Sequence, residues 1–207
     1  MGFLNLDSKP TFLPRLDVDV RAGRFFCVER VQNQDGDWEN NKIEVEKPEF
    51  ITDLGNCAIG YTAFVEGRPD SVLNHRLDGM PDRPSMDHNV SFELIVKMVG
   101  GDFDGTVRKF GKGGLTIGKA FNDLSTAFTE AKESADGKKC PIISVTGSVP
   151  IKTGKSTNYA PKWGISKWVK RPEEFDEHMP ERIDLEKVAQ QKLEEEKKLR
   201  EGDLEFA

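Results

Sequence analysis

Gly154-Lys155-Ser156-Thr157 has the residue types that close a nucleoside-triphosphate phosphate loop, where the first amides of a helix wrap the phosphates. That loop also needs a glycine at position 149, which is Val149, and Gly147 stands two residues too early. A helix should follow Lys155, yet Asn158, Tyr159 and Pro161 have turn chemistry, and Trp163, Ile165 and Val169 then keep the parity of a strand. A phosphate loop is excluded by spacing and by context.

The same stretch supports other chemistry. From Ile151 to Pro172 there are six basic residues (Lys152, Lys155, Lys162, Lys167, Lys170 and Arg171), no acidic ones, and the aromatics Tyr159, Trp163 and Trp168. Cations that track phosphates, interleaved with flat rings that stack on unpaired bases, are what single-stranded nucleic acid requires. If residues 162 to 170 are extended, Trp163, Ile165 and Val169 share one face, and Lys162, Ser166, Trp168 and Lys170 share the other. Trp163 is then a core residue and Trp168 a stacking residue. The alternative is an ordinary strand edge whose lysines discourage aggregation, with both tryptophans in the core. A second run, Thr106 to Ala120, also lacks acids; it sets Arg108 and Phe110 on one strand face, with Lys109 and Lys112 beside them. Two such runs in one β domain point to a groove. Trp38, in the polar turn QDGDWENN, is either a further stacking residue or folded back on the body.

Catalysis finds little support. His75, His88 and His178 are isolated from the cysteines and from one another, so no metal-ligand spacing emerges. Asp17/Asp19 and Glu44/Glu46 sit at strand spacing, but in a chain with 36 acidic residues such pairs are expected on solvent faces. No Gly-x-Ser-x-Gly elbow is present. The expectation is a non-enzymatic protein with no catalytic residues, no metal and no cofactor.

The elements that position these residues read as short strands broken by turns from residue 23 to about 112. Arg24–Val31, Lys42–Glu46, Cys57–Val65, Phe92–Met98 and Thr106–Phe110 are strands, with turns at Asp35-Gly36 and at Gly67 to Asp70. Ile117, Phe121, Leu124, Phe128 and Ala131 recur at helical spacing and predict one amphipathic helix between Thr116 and about Ser134. Strand patterning returns at Ile143, Val145, Val149 and Ile151, and Pro172 is expected to end the domain.

The chain of 207 residues is long enough for one domain plus an appendage. Its net charge of -6 belongs to the tail: residues 173–207 hold 13 acidic and 6 basic residues, leaving the remainder 23 acidic and 24 basic. A near-neutral body is compatible with a nucleic-acid partner, because local patches steer a polyanion. Cys27, Cys57 and Cys140 are odd in number and lie in or beside apolar runs, as reduced core thiols of a cytoplasmic protein do. No stretch has the pattern of a signal peptide or a membrane span.

These features together, a β-rich body, the helix near residues 116 to 134, the segment STNYAPKWGISKWVKRP and an acidic tail ending in DLEF, resemble the single-stranded DNA-binding proteins encoded by tailed bacteriophages, of the OB-fold, T7-like replication type. The resemblance implies a mainly β, OB-like antiparallel barrel over residues 1–172, with one packed helix, and a charged, partly helical tail over 173–207. It implies sequence-nonspecific single-stranded DNA binding in replication or recombination, in the host cytoplasm. The groove role passes to Arg108, Lys109, Phe110, Lys152, Lys155, Tyr159, Lys162 and Trp168, joined by Lys112, Lys167 and Lys170 of the basic runs. Recruitment of a polymerase or primase-helicase passes to Asp203, Leu204, Glu205 and Phe206; a solubilising terminus is the plainer alternative. A homo-oligomer is compatible with all of this. The rival expectation is a structural or interaction protein, such as a virion component, whose β body meets protein partners.

Overall fold

A computed structural model describes residues 13–131, 135 and 138–182. Among these residues ten strands join one sheet: β1 (Arg15–Asp19), β2 (Arg24–Gln32), β3 (Trp38–Val45), β4 (Glu49–Thr52), β5 (Ala58–Val65), β6 (Arg68–His75), β7 (Asn89–Val99), β8 (Val107–Gly113), β9 (Cys140–Thr153) and β10 (Ser156–Val169). Helix α1 (Leu115–Ala131) lies between β8 and β9. The strands run in the order β10-β9-β4-β7-β8-β1-β2-β3, and the β5–β6 hairpin hangs on β7. The expected mainly β body with one packed helix is therefore present. Its ladders leave the sheet open, and β1 pairs with β8 in parallel, so the sheet is not purely antiparallel.

Alternation explains most of these strands. Phe92, Leu94, Val96 and Met98 of β7 are buried in the main core, whereas Ile95 points the other way into a second cluster with Cys140 and Phe175. A strand buried on both faces in its middle needs such a continuous apolar run. The helix begins and ends close to its predicted bounds and buries Thr116, Ile117, Ala120, Leu124 and Phe128. Phe121 stacks on Phe92, with ring centroids 4.2 Å apart. Strand β6 was hidden in the sequence by Pro69. A proline is tolerated there because β6 is an edge strand, paired only with β5, and need not donate on its free side.

The domain does not end at Pro172. Phe175 is buried in the second cluster, and Met179 packs beside it. Arg171 reaches Asp53 at 2.6 Å and also binds the Met179 carbonyl. The side chain of Asn56 fastens the segment further: its Nδ2 donates to the carbonyls of Met179 and Pro180, and its Oδ1 accepts from the Arg182 amide. Residues 172 to 182 thus form a strap across the sheet, and the body extends to at least Arg182. The remaining tail, including Asp203, Leu204, Glu205 and Phe206, lies outside the described residues. No helix among the described residues is long and apolar enough to cross a membrane.

Candidate nucleic-acid interface

The two basic runs have opposite fates. On β8, Arg108 and Phe110 share a face, as their spacing requires, but that face is the interior. Arg108 is 1% exposed, donates to Glu29 of β2 and lies over the Phe103 ring at 4.5 Å. Phe110 is also 1% exposed, and its ring meets those of Phe25, Phe50, Phe92 and Trp163 at 5.4 to 6.3 Å. Neither can meet a nucleic acid, and both assignments are corrected: they are core residues. Lys109 is engaged with Glu93 at 2.5 Å and Lys112 with Asp17 at 2.6 Å. A paired cation adds little net charge to a surface, so the β8 run is largely neutralised.

The β9–β10 run differs. Lys152, Lys155, Lys162, Lys167 and Lys170 are all exposed, and none forms an ion pair among the described residues. Upstream, the sequence holds a signal that the shorter window did not use: no acidic residue occurs from Lys138 to Pro172. The two strands pair over almost their whole length, from Val169↔Cys140 to Ser156↔Thr153. Strand β4 supports β9 only at residues 142 to 144, so the outer half of the hairpin reaches past the sheet as a two-stranded arm. Lys152 and Lys155 lie at its tip, Lys162 opposite Gly147 midway, and Lys167 and Lys170 at its root. At about 3.3 Å per residue the lysines from 155 to 170 span on the order of 50 Å. Tyr159 is half-buried, and its amide donates to the Val20 carbonyl at 2.6 Å, tying the arm to the end of β1. Gly23 permits this approach: a Cβ there would lie 3.0 Å from the Tyr159 Cβ, and its φ of +68 suits glycine.

Trp168 was expected on the solvent face with the lysines. It instead packs against the main core, 5.5 Å from Phe128 of α1 by ring centroid. The cause is a bulge: Ile165 pairs with Ile143 and Lys167 with Ile142, so Ser166 is unpaired and the side-chain parity reverses after it. Trp163, Ile165 and Trp168 face the main core, while Val169 moves to the second cluster. The exposed aromatics are elsewhere. Trp38 is 59% exposed at the start of β3 with the Arg30 guanidinium 5.2 Å over its ring, and Phe64 is 79% exposed near the β5–β6 turn.

Between α1 and the arm runs an open groove of about 460 Å³, floored by Leu124, Pro150 and Trp163. The Trp163 Nε1–H is spent on the Ala120 carbonyl at 2.9 Å. Lys119 stands on the helix wall and Lys162 on the strand wall. Among the described residues no three His, Cys, Asp or Glu side chains are grouped to hold a metal ion. No protein-family model, no curated protein and no solved structure matches this chain.

Proposed function

We propose that the protein binds single-stranded DNA without base-sequence selection, along the β9–β10 arm of an OB-like body, and that it does so without catalysis. The observation that carries this reading is the contrast in charge: five exposed lysines on one hairpin have no ion-pair partner among the described residues, whereas the basic residues of β8 are paired. Such a cationic track gains affinity by releasing counterions from phosphates.

The strand connectivity supports the OB-like reading. β4, β7 and β8 form an antiparallel series, α1 follows, and β9 returns beside β4 with β10 outside it. In OB-folds the turn between the last two strands borders the nucleic-acid groove, and here that turn carries Lys155. The Tyr159–Val20 hydrogen bond brings β10 to the C-terminal end of β1, on the far side of β8 from β7. The acidic tail, in this reading, recruits replication proteins through Asp203, Leu204, Glu205 and Phe206.

The test is titration of a fluorescent oligo-dT of about 30 nucleotides at two salt concentrations, with duplex of equal length as control. Salt-sensitive binding that favours the single strand is expected. Absence of binding at low salt would favour a protein-interaction role, for which the exposed Phe64 and Val65 of the β5–β6 hairpin offer an apolar surface.

A further inference from the structure

We propose that the groove between α1 and the β9–β10 arm is a nucleobase subsite, and that Asp123 makes it prefer bases carrying an exocyclic amino group. This inference rests on the reading of the arm as the single-strand track. The groove opens beside that track and offers about 460 Å³, within the range of small-ligand sites. Its floor of Leu124, Pro150 and Trp163 is apolar, and the one polar hydrogen of the indole is already bound to the Ala120 carbonyl. A flat, largely apolar ring suits such a floor.

The walls supply the complementary charge. Lys119 from the helix and Lys162 from the strand stand on opposite sides, and neither forms an ion pair among the described residues. A base lying between them places its flanking phosphates within reach of cations on both sides. Among the described residues that line the groove Asp123 alone is acidic; it stands one helical turn from Lys119, and its carboxylate can only accept hydrogen bonds. Cytosine, adenine and guanine each present an amino donor, as in the pairing of Asp or Glu with cytosine N4. Thymine has no exocyclic amino group, and its one donor on that edge, N3–H, is flanked by two carbonyl oxygens that repel a carboxylate. The subsite therefore adds a mild base preference to binding that is otherwise indifferent to sequence.

The experiment compares oligo-dC and oligo-dT of equal length at neutral pH and one low salt concentration, for the full chain and two variants. The full chain should bind oligo-dC about threefold to tenfold more tightly, the worth of one net hydrogen bond. Asp123→Ala should bring the ratio to one without weakening oligo-dT. Ala127→Phe projects a ring into the groove from an exposed helical position and should bring the ratio to one by weakening oligo-dC. Thermal melts check that both variants stay folded. Tight but equal binding of the two strands by the full chain, or a preference that survives both variants, overturns the subsite and leaves the arm reading intact. Binding of neither strand overturns both.

Discussion

The Phe128 and Trp168 rings lie 5.5 Å apart and clamp the helix to the last strand, placing on the core side an indole that strand alternation assigns to solvent. Trp168→Ala should therefore cost about 3 kcal/mol of stability, as large aromatic truncations in a core do. Chemical denaturation measures the loss. DNA affinity of the folded protein should be unchanged, so a variant of normal stability with weakened binding would return Trp168 to the interface.

Replacing Lys152, Lys155 and Lys162 together by Ala should weaken oligo-dT binding and lower the slope of log affinity against log salt by about 2, at about 0.7 per phosphate contact for single strands. Lys109→Ala and Lys112→Ala, whose ammonium groups are engaged with Glu93 and Asp17, should leave that slope nearly unchanged. Equal effects from the two sets would contradict the division between the runs.

The strap predicts where the body can be cut. Ending the chain after Arg182 should leave the melting temperature intact, whereas ending it after Pro172 removes Phe175 and the partners of Asn56. The shorter protein should lose about 3 kcal/mol or more, from the buried ring alone. Equal melting curves for the two would mean that the strap contributes nothing.

His75 gives the strap a pH dependence. Its Nδ1 accepts from the Leu77 amide, so Nε2 carries the proton and donates to Asn56 Oδ1. Burial first, and then the Arg182 charge, hold its pKa below the ordinary 6.5, against opposing pulls from Asp78 and Asp53. The native state thus favours the neutral ring. Its stabilisation is complete above the unfolded value near 6.5 and is lost as pH falls through the lower native value. Melting temperatures between about pH 7.5 and pH 5 should drop more steeply for the full chain than for His75→Gln.

The three cysteines are buried, and burial pushes the Cys57 thiol up to about 11 and the Cys140 thiol to about 12. A thiol-specific reagent at mildly alkaline pH should modify none of the three until the protein unfolds, because the thiolate is the reacting form. Rapid modification of the native protein would show that the core opens.

Much of this architecture was legible in the chain. The helix between β8 and β9, the strand patterns of residues 143–151 and 163–169 and the core place of Trp163 follow from periodicity, whereas Asn158, Tyr159 and Pro161, for all their turn chemistry, lie within β10, and the chain turns at Gly154-Lys155 instead. What failed did so for non-local reasons. Arg108 and Phe110 do share a face, but the carboxylate that balances an arginine charge inside belongs to Glu29, on a strand 79 residues away in sequence. The bulge at Ser166 is a feature of pairing between β9 and β10, and alternation within one strand cannot reveal it. Strand β6 was masked because its proline marks a turn unless the strand is known to lie at an edge.

The parallel pairing of β1 with β8 also governs how the chain must assemble. Leu16 finds its partner at Phe110, so at ribosomal speeds the first strand waits on the order of 5 to 20 seconds for its neighbour to emerge. During synthesis β1 and β2 can close as a local hairpin, as can β5 with β6. The aromatic hub around Phe110 forms only later, and its last ring, Trp163, arrives with β10. Loop closure over such distances precedes any reward from packing, which makes for slow folding and leaves hairpin edges bare in the nascent chain. The open apolar edges of those early hairpins are where a chaperone would have the longest opportunity to act.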